Sequence, residues 1–185
     1  MALPFTDESF DTVVSYNSLM DLNDMKEGVL QAARVLKPAG RFCICILYPM
    51  RDAGAFPTND PDSPFVISDS YFQPRLTEEG SRRAGLEMSF TSWRYPISAY
   101  AEGLERAGLL IERLAEPLPD PVVTEQRPEW KRSERIPMFL FIRAVKPSVE
   151  IARDSLGSRL LSRHSPAEEA VAKSPGNPRD FGARR

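Results

Sequence analysis

The run RFCICILY, residues 41–48, limits the fold more than any other stretch. It is apolar almost without a break, and its length suits a strand better than a helix. A strand that is apolar on both of its alternating faces reads as covered on both sides, the mark of a parallel sheet in an α/β protein. Just upstream, TVVSY (Thr12 to Tyr16) is short, β-branched and aromatic, and reads as a second buried strand. Between them lies NDMKEGVLQAARVLKPAG, with the signs of a helix at both ends. Asp24 is placed to cap its start, with Glu27 completing a capping box. Met25, Val29, Ala32 and Leu36 form an apolar stripe at helical spacing, and Pro38 and Gly40 mark its end. Strand, helix and strand with short links make a βαβ unit, so the two strands should run parallel.

The rest of the chain extends this pattern. Residues 49–69, rich in Pro, Asp, Ser and Gly, read as a long excursion loop of the kind that forms lids. SYFQPRL and LEMSFTSWRYP alternate weakly and suggest an inserted hairpin. PISAYAEGLERAG is a second helix, with Pro96 in its first turn and Gly108 at its C-terminal cap. LLIERLAEP is the next strand, residues 117–135 a polar loop, and IPMFLFIRAVKP a last strand apolar enough to be central. From residue 148 the apolar content falls. That tail, residues 148–185, reads either as disordered or as a frayed amphipathic helix for a partner.

Composition removes several function classes. The chain has 185 residues, 42% of them hydrophobic, enough for one domain with a real core. A net charge of −2 argues against a general nucleic-acid binder. No apolar run is long enough to span a bilayer, and the start lacks the basic and apolar regions of a signal peptide, so a cytoplasmic protein is expected. The single histidine, His164, lies in the tail, which argues against Ser-His-Asp or Cys-His catalysis and a His-ligated metal in the body. Cys43 and Cys45 are two apart, face the same way on a strand, and read as buried core thiols.

Four sequence words resemble one family. LPFTDESFDTVVSYNSLMDLND (Leu3 to Asp24) is similar to the LPF-x-D-x-SFD-x-V stretch around the fourth strand of class I S-adenosylmethionine-dependent methyltransferases. AARVLKPAGRFCI (Ala32 to Ile44) resembles their R-x-LKPGG lead into the fifth strand. YPISAYAEGLERAGLLIERLAEP (Tyr95 to Pro117) and RIPMFLFIRAVKP (Arg135 to Pro147) resemble later segments of the subgroup often called methyltransferase type 11. The resemblance implies a Rossmann-like methyltransferase fold over residues 1–147, with parallel strands, a final antiparallel strand and an inserted hairpin or lid. It further implies that this chain holds the C-terminal half of that fold, without the glycine-rich turn that cradles the cofactor.

The same resemblance assigns roles. S-adenosylmethionine would be the methyl-donor cosubstrate, with no metal. Ser15, Tyr16, Asn17, Leu19 and Met20, in and after the first strand, would contact it. The alternative for Ser15 and Asn17 is that they only satisfy backbone groups at a strand-to-helix turn. Tyr48, Trp93 and Tyr95 would face a small-molecule acceptor, or else serve as ordinary packing. Relatives often carry His where Met20 or Asp21 stands, so no catalytic base is assigned, and Asp21 is the nearest acid. Two other functions compete. A non-catalytic interaction module would self-associate through an exposed sheet edge. A Rossmann-like dehydrogenase would need a glycine fingerprint or a Tyr-x-x-x-Lys pair, and neither is present.

Overall fold

The structure, a computed structural model, describes residues 2–83 and 85–148; the tail reading lies outside them. The first expected unit is present. β1 (Phe10–Tyr16) leads through a 3₁₀ turn (Leu19–Asp21) into α1 (Met25–Val35) and then β2 (Leu36–Leu47). β1 and β2 pair in parallel, with Val14 opposite Cys43 and Tyr16 opposite Cys45. The Asp24 carboxylate caps α1 by accepting from the Glu27 amide at 2.9 Å. The reciprocal half of the capping box is missing, because the Glu27 carboxylate takes the Gln31 amide instead.

The helix ends earlier than the sequence suggests. Leu36 is already extended, and β2 takes in the LKPAG segment that reads as a stop. The cause is pairing: the chain before β1 lies along the helix end, where the Glu8 and Ser9 amides bond to the Arg34 and Val35 carbonyls. Arg34 adds bonds to the Leu3 and Phe5 carbonyls and to the Asp7 carboxylate. One guanidinium thus fastens the LPFTD word to the end of α1.

After β2, a 3₁₀ turn (Pro49–Ala53) opens the excursion. This stretch is more ordered than a loop, since β3 (Gly54–Ala55) and β4 (Val66–Ile67) form a small ribbon. The hairpin is real but displaced: β5 (Arg75–Arg83) and β6 (Leu86–Arg94) pair antiparallel, so the first arm begins only at the last two residues of SYFQPRL. Its cross-strand contacts outweigh the weak alternation of that word. Both arms are fastened at the base, where Arg75 and Arg94 donate to the Asp52 carbonyl at 2.8 and 3.0 Å. α2 (Ile97–Arg106) follows, with Pro96 at its N-cap rather than in its first turn. Next come β7 (Leu110–Ala115), α3 (Pro121–Gln126) and β8 (Phe139–Val145). The expected loop at 117–135 therefore holds α3 and a 3₁₀ segment (Pro128–Glu134). Asp120 caps α3 from a position that reads as polar loop.

The main sheet has the order β1-β2-β8-β7, with β8 antiparallel to both neighbours and central as expected. Its core face is closed by α1 and α2. Phe42, Ile44 and Ile46 of β2 and Leu140, Ile142 and Ala144 of β8 are buried there against Met25, Val29, Tyr100 and Leu104. The other face carries no helix among the described residues, which corrects the expectation that β2 is covered on both sides. Val14 is 68% and Tyr16 65% exposed on that face. Cys43 is half-buried, while Cys45 is buried between its register partners Tyr16 and Phe141. No helix among the described residues is long and apolar enough to cross a membrane.

The bend into β2 generates a stability test. Ala39 is exposed and held at φ +63°, a left-handed conformation that costs an L side chain about 1 kcal/mol. Ala39→Gly should raise the thermal midpoint by roughly 2–4 °C. At Gly40 an added Cβ would lie 2.8 Å from the Lys37 carbonyl and 3.1 Å from that of Asp11. Gly40→Ala should therefore lower stability by about 1–3 kcal/mol. Thermal unfolding followed by circular dichroism checks both.

Candidate active site

Three strands end at one edge of the sheet. β1 and β2 run parallel, and β2 and β7 both oppose β8, so the carboxyl ends of β1, β2 and β7 share that edge. In open α/β sheets this is where ligands bind. The turn from Asn17 to Asp21 leaves β1 there, Tyr48 leaves β2, and Glu116 leaves β7.

The β1 turn is shaped by Asn17. Its amide extends the β1–β2 pairing to the Cys45 carbonyl at 2.8 Å, and its φ of +45° then reverses the chain. Asn tolerates this left-handed region better than most residues. Ser15 is buried and shares a hydrogen bond with Ser18 at 2.8 Å. The Cys45 thiol sits 3.9 Å from the Asn17 amide oxygen, and burial pushes its pKa up. Leu19 and Met20 are buried in the core cluster.

The five expected cofactor contacts thus divide. Ser15 and Leu19 line a cavity of about 500 Å³ that also reaches Val13, Ser18, Leu22 and Gly28. Met20 is buried beneath the turn, Asn17 shapes it, and Tyr16 points away onto the opposite face of the sheet. The cavity follows the flank of β1 and α1 as far as Leu3 and Gln31, and Tyr48, Trp93 and Tyr95 are not among the residues that line it.

The expected acceptor residues lie closer together. Trp93 and Tyr95 stack with centroids 5.9 Å apart, and Tyr95 meets Tyr100 edge-on at 6.0 Å. β6 packs on the Leu19–Asp21 turn, and Tyr95 and Tyr100 pack with Leu19 and Met20 in the core cluster, which brings this ladder near the exit from β1. The Trp93 indole Nε1 is buried and has no hydrogen-bond partner among the described residues. Tyr100 reads from the sequence only as part of a helical stripe, yet it completes the ladder. Its pKa is raised, mainly by burial and then by the charges of Asp52, Tyr95 and Asp21. Burial and then the Asp24 charge raise that of Tyr95.

Tyr48 stands apart from the ladder. Its phenol is hydrogen-bonded to the Glu116 carboxylate, and this bond, with burial and the Glu116 charge, pushes its pKa up to about 12. Glu116 was missed in the sequence, where it reads as the polar end of a strand. The usable signal is positional, since it leaves β7 as Tyr48 leaves β2. Among the described residues no group of three His, Cys, Asp or Glu side chains is arranged to hold a metal.

Comparison with known proteins places this architecture. Residues 1–44 match the family described as methyltransferase domain. A demethylmenaquinone methyltransferase of Tropheryma whipplei is 38% identical over 111 residues, covering 57% of this chain and 43% of that protein. Another from Corynebacterium efficiens is 43% identical over 44 residues. The chain therefore spans less than half the length of these relatives. The fold is shared with solved S-adenosylmethionine-dependent methyltransferases. One from Listeria monocytogenes (described as putative) has a TM-score of 0.63 and 22% identity, with 79% of this chain and 65% of that one covered. One from Mesorhizobium loti has a TM-score of 0.60 and 23% identity, with 78% and 64% covered. Residues 1–44 thus match a methyltransferase family, and the chain shares the fold of solved S-adenosylmethionine-dependent methyltransferases.

Proposed function

We propose that this chain forms the acceptor side of a methyl-transfer site that uses S-adenosylmethionine and a small-molecule acceptor. The observation that carries this reading is the Trp93–Tyr95–Tyr100 ladder set against the β1 turn, with a buried indole donor left without a partner. A buried donor without a partner costs about 1–3 kcal/mol, and an acceptor oxygen on a ligand would remove that cost. When bound, the donor supplies an activated methyl group on a positively charged sulfur. The protein's part is alignment and exclusion of water. Aromatic faces suit a sulfonium cation, and Ser15, Asn17 and Leu19 are the turn residues that fit the cosubstrate. The small-molecule class is supported by the relatives, which are named for methylating demethylmenaquinone.

Tyr48 gives its one O–H to Glu116, and is read as offering its phenol oxygen as a hydrogen-bond acceptor to the substrate. With its pKa pushed up to about 12, the phenol stays protonated across the physiological range and cannot serve as a base there. A folded-state pKa above the unfolded value near 10 favours folding fully below that value. The contribution is then lost as pH rises through 12. Glu116→Gln should bring the Tyr48 transition back toward about 10, read by tyrosinate absorbance in an alkaline titration.

The reading itself is tested in a Trp130→Phe background, where Trp93 is the only indole. S-adenosylhomocysteine should change its emission saturably. Tyr95→Ala should weaken that response about tenfold, near 1.4 kcal/mol. A flat response up to millimolar ligand would remove the proposal.

One observation favours a second reading, an interaction module. β1 is an edge strand, and the face bearing Val14, Tyr16 and Phe141 is open. Unpaired edges and apolar faces promote self-association. Light scattering should then show a concentration-dependent dimer that Val14→Lys weakens about tenfold. A monomer throughout the accessible range would dismiss it.

A further inference from the structure

Three arginines surround one aromatic ring outside the site described above. The guanidinium carbons of Arg51, Arg132 and Arg135 lie 5.5, 5.1 and 5.7 Å from the Phe56 centroid. No two are therefore more than about 11 Å apart, close enough to repel one another through a protein surface. Phe56 offers each a cation–π contact, but the ring adds no negative charge.

Their hydrogen bonds add none either. Arg51 donates to the Pro137 and Ile136 carbonyls and to the Ser133 hydroxyl. Arg132 donates to the Glu129 and Thr58 carbonyls and the Asn59 amide oxygen. Arg135 donates through Nη2 to the Pro61 and Ser63 carbonyls. Every acceptor is neutral. Asp60, Asp62, Glu129 and Glu134 lie in the same segments, yet among the described residues no carboxylate comes within ion-pair distance of any of the three. Partly buried arginines ordinarily find a carboxylate.

Donors also remain. A guanidinium carries five N–H groups, and Arg51 Nη1 and Arg135 Nε and Nη1 have no acceptor among the described residues. Arg135 is exposed, so a ligand can reach the cluster. Burial, and then the nearby Arg132 charge, hold the Arg51 pKa below its ordinary value, as an uncompensated cluster would.

We infer that Arg51, Arg132 and Arg135 form an oxyanion subsite for the carboxylate or phosphate of an acidic small molecule. Planar guanidinium forks match both groups. The position suggests which molecule. Arg51 lies in the 3₁₀ turn directly after Tyr48, and the Asp52 carbonyl of that turn holds the base of the hairpin that carries Trp93. The oxyanion would belong to the methyl acceptor, and that part rests on the function proposed above.

The test uses the full chain with sodium phosphate, sodium succinate and sodium chloride at equal ionic strength. Phosphate or succinate should raise the thermal midpoint by a few degrees over chloride, and the larger rise identifies the anion class. Arg135→Gln should lower the apparent affinity at least fivefold. Arg135→Lys, which keeps the charge but loses the fork, should recover only part of it. Broadening of the phosphorus NMR line of inorganic phosphate gives a second readout that does not depend on unfolding. A rise no greater than with chloride, or one that persists in Arg135→Gln, overturns the subsite. Oxyanion binding without any S-adenosylhomocysteine response would uphold the cluster and overturn its assignment to an acceptor. The reverse result would overturn the cluster alone.

Discussion

The structure depends on a core built from one side of its sheet. β2 and β8 lie side by side in the middle, and each turns an unbroken apolar row toward α1 and α2. Burial of such rows is the main favourable term in folding. The row on β2 (Phe42, Ile44, Ile46) meets Met25 and Val29 on the crossover helix. It thereby fixes the helix over the sheet and, through the parallel pairing, fixes β1 beside β2. A one-residue slip in that pairing would carry Ser15 to the open face and Val14 into the core.

The polar side chains of the candidate site gather where strands end. Asn17, Tyr48 and Glu116 are far apart in sequence, and only the strand directions bring them to one edge. The hairpin adds the remaining side chains. Without the clasp at its base it would be an isolated two-stranded ribbon, which is marginal in water. Clasped, it lays β6 against the turn after β1 and sets Tyr95 against Tyr100.

Much of this was legible in the sequence. The parallel unit, the Asp24 cap and the central last strand follow from periodicity and capping chemistry. What failed has local physical causes. The helix end was misplaced because tertiary pairing of the Glu8–Ser9 segment overrides the proline signal at position 38. α3 escaped notice because six residues leave almost no periodic pattern. Tyr16 was grouped with Ser15 as a ligand contact, although strand alternation sends neighbours to opposite faces. Glu116 and the arginines around Phe56 could not be found by spacing, since their partners come from remote segments.

The clasp at the hairpin base has a consequence of its own. Its acceptor at position 52 is a main-chain oxygen, which every amino acid carries. Genetic drift at that codon leaves the oxygen in place, while drift at codons 75 and 94 removes a donor. The hairpin's attachment is thus insensitive to spelling on one side and fully exposed to it on the other. Substitutions at 75 and 94 therefore strip donors from the clasp itself, whereas those at 52 act only through a side chain whose charge reaches Tyr100.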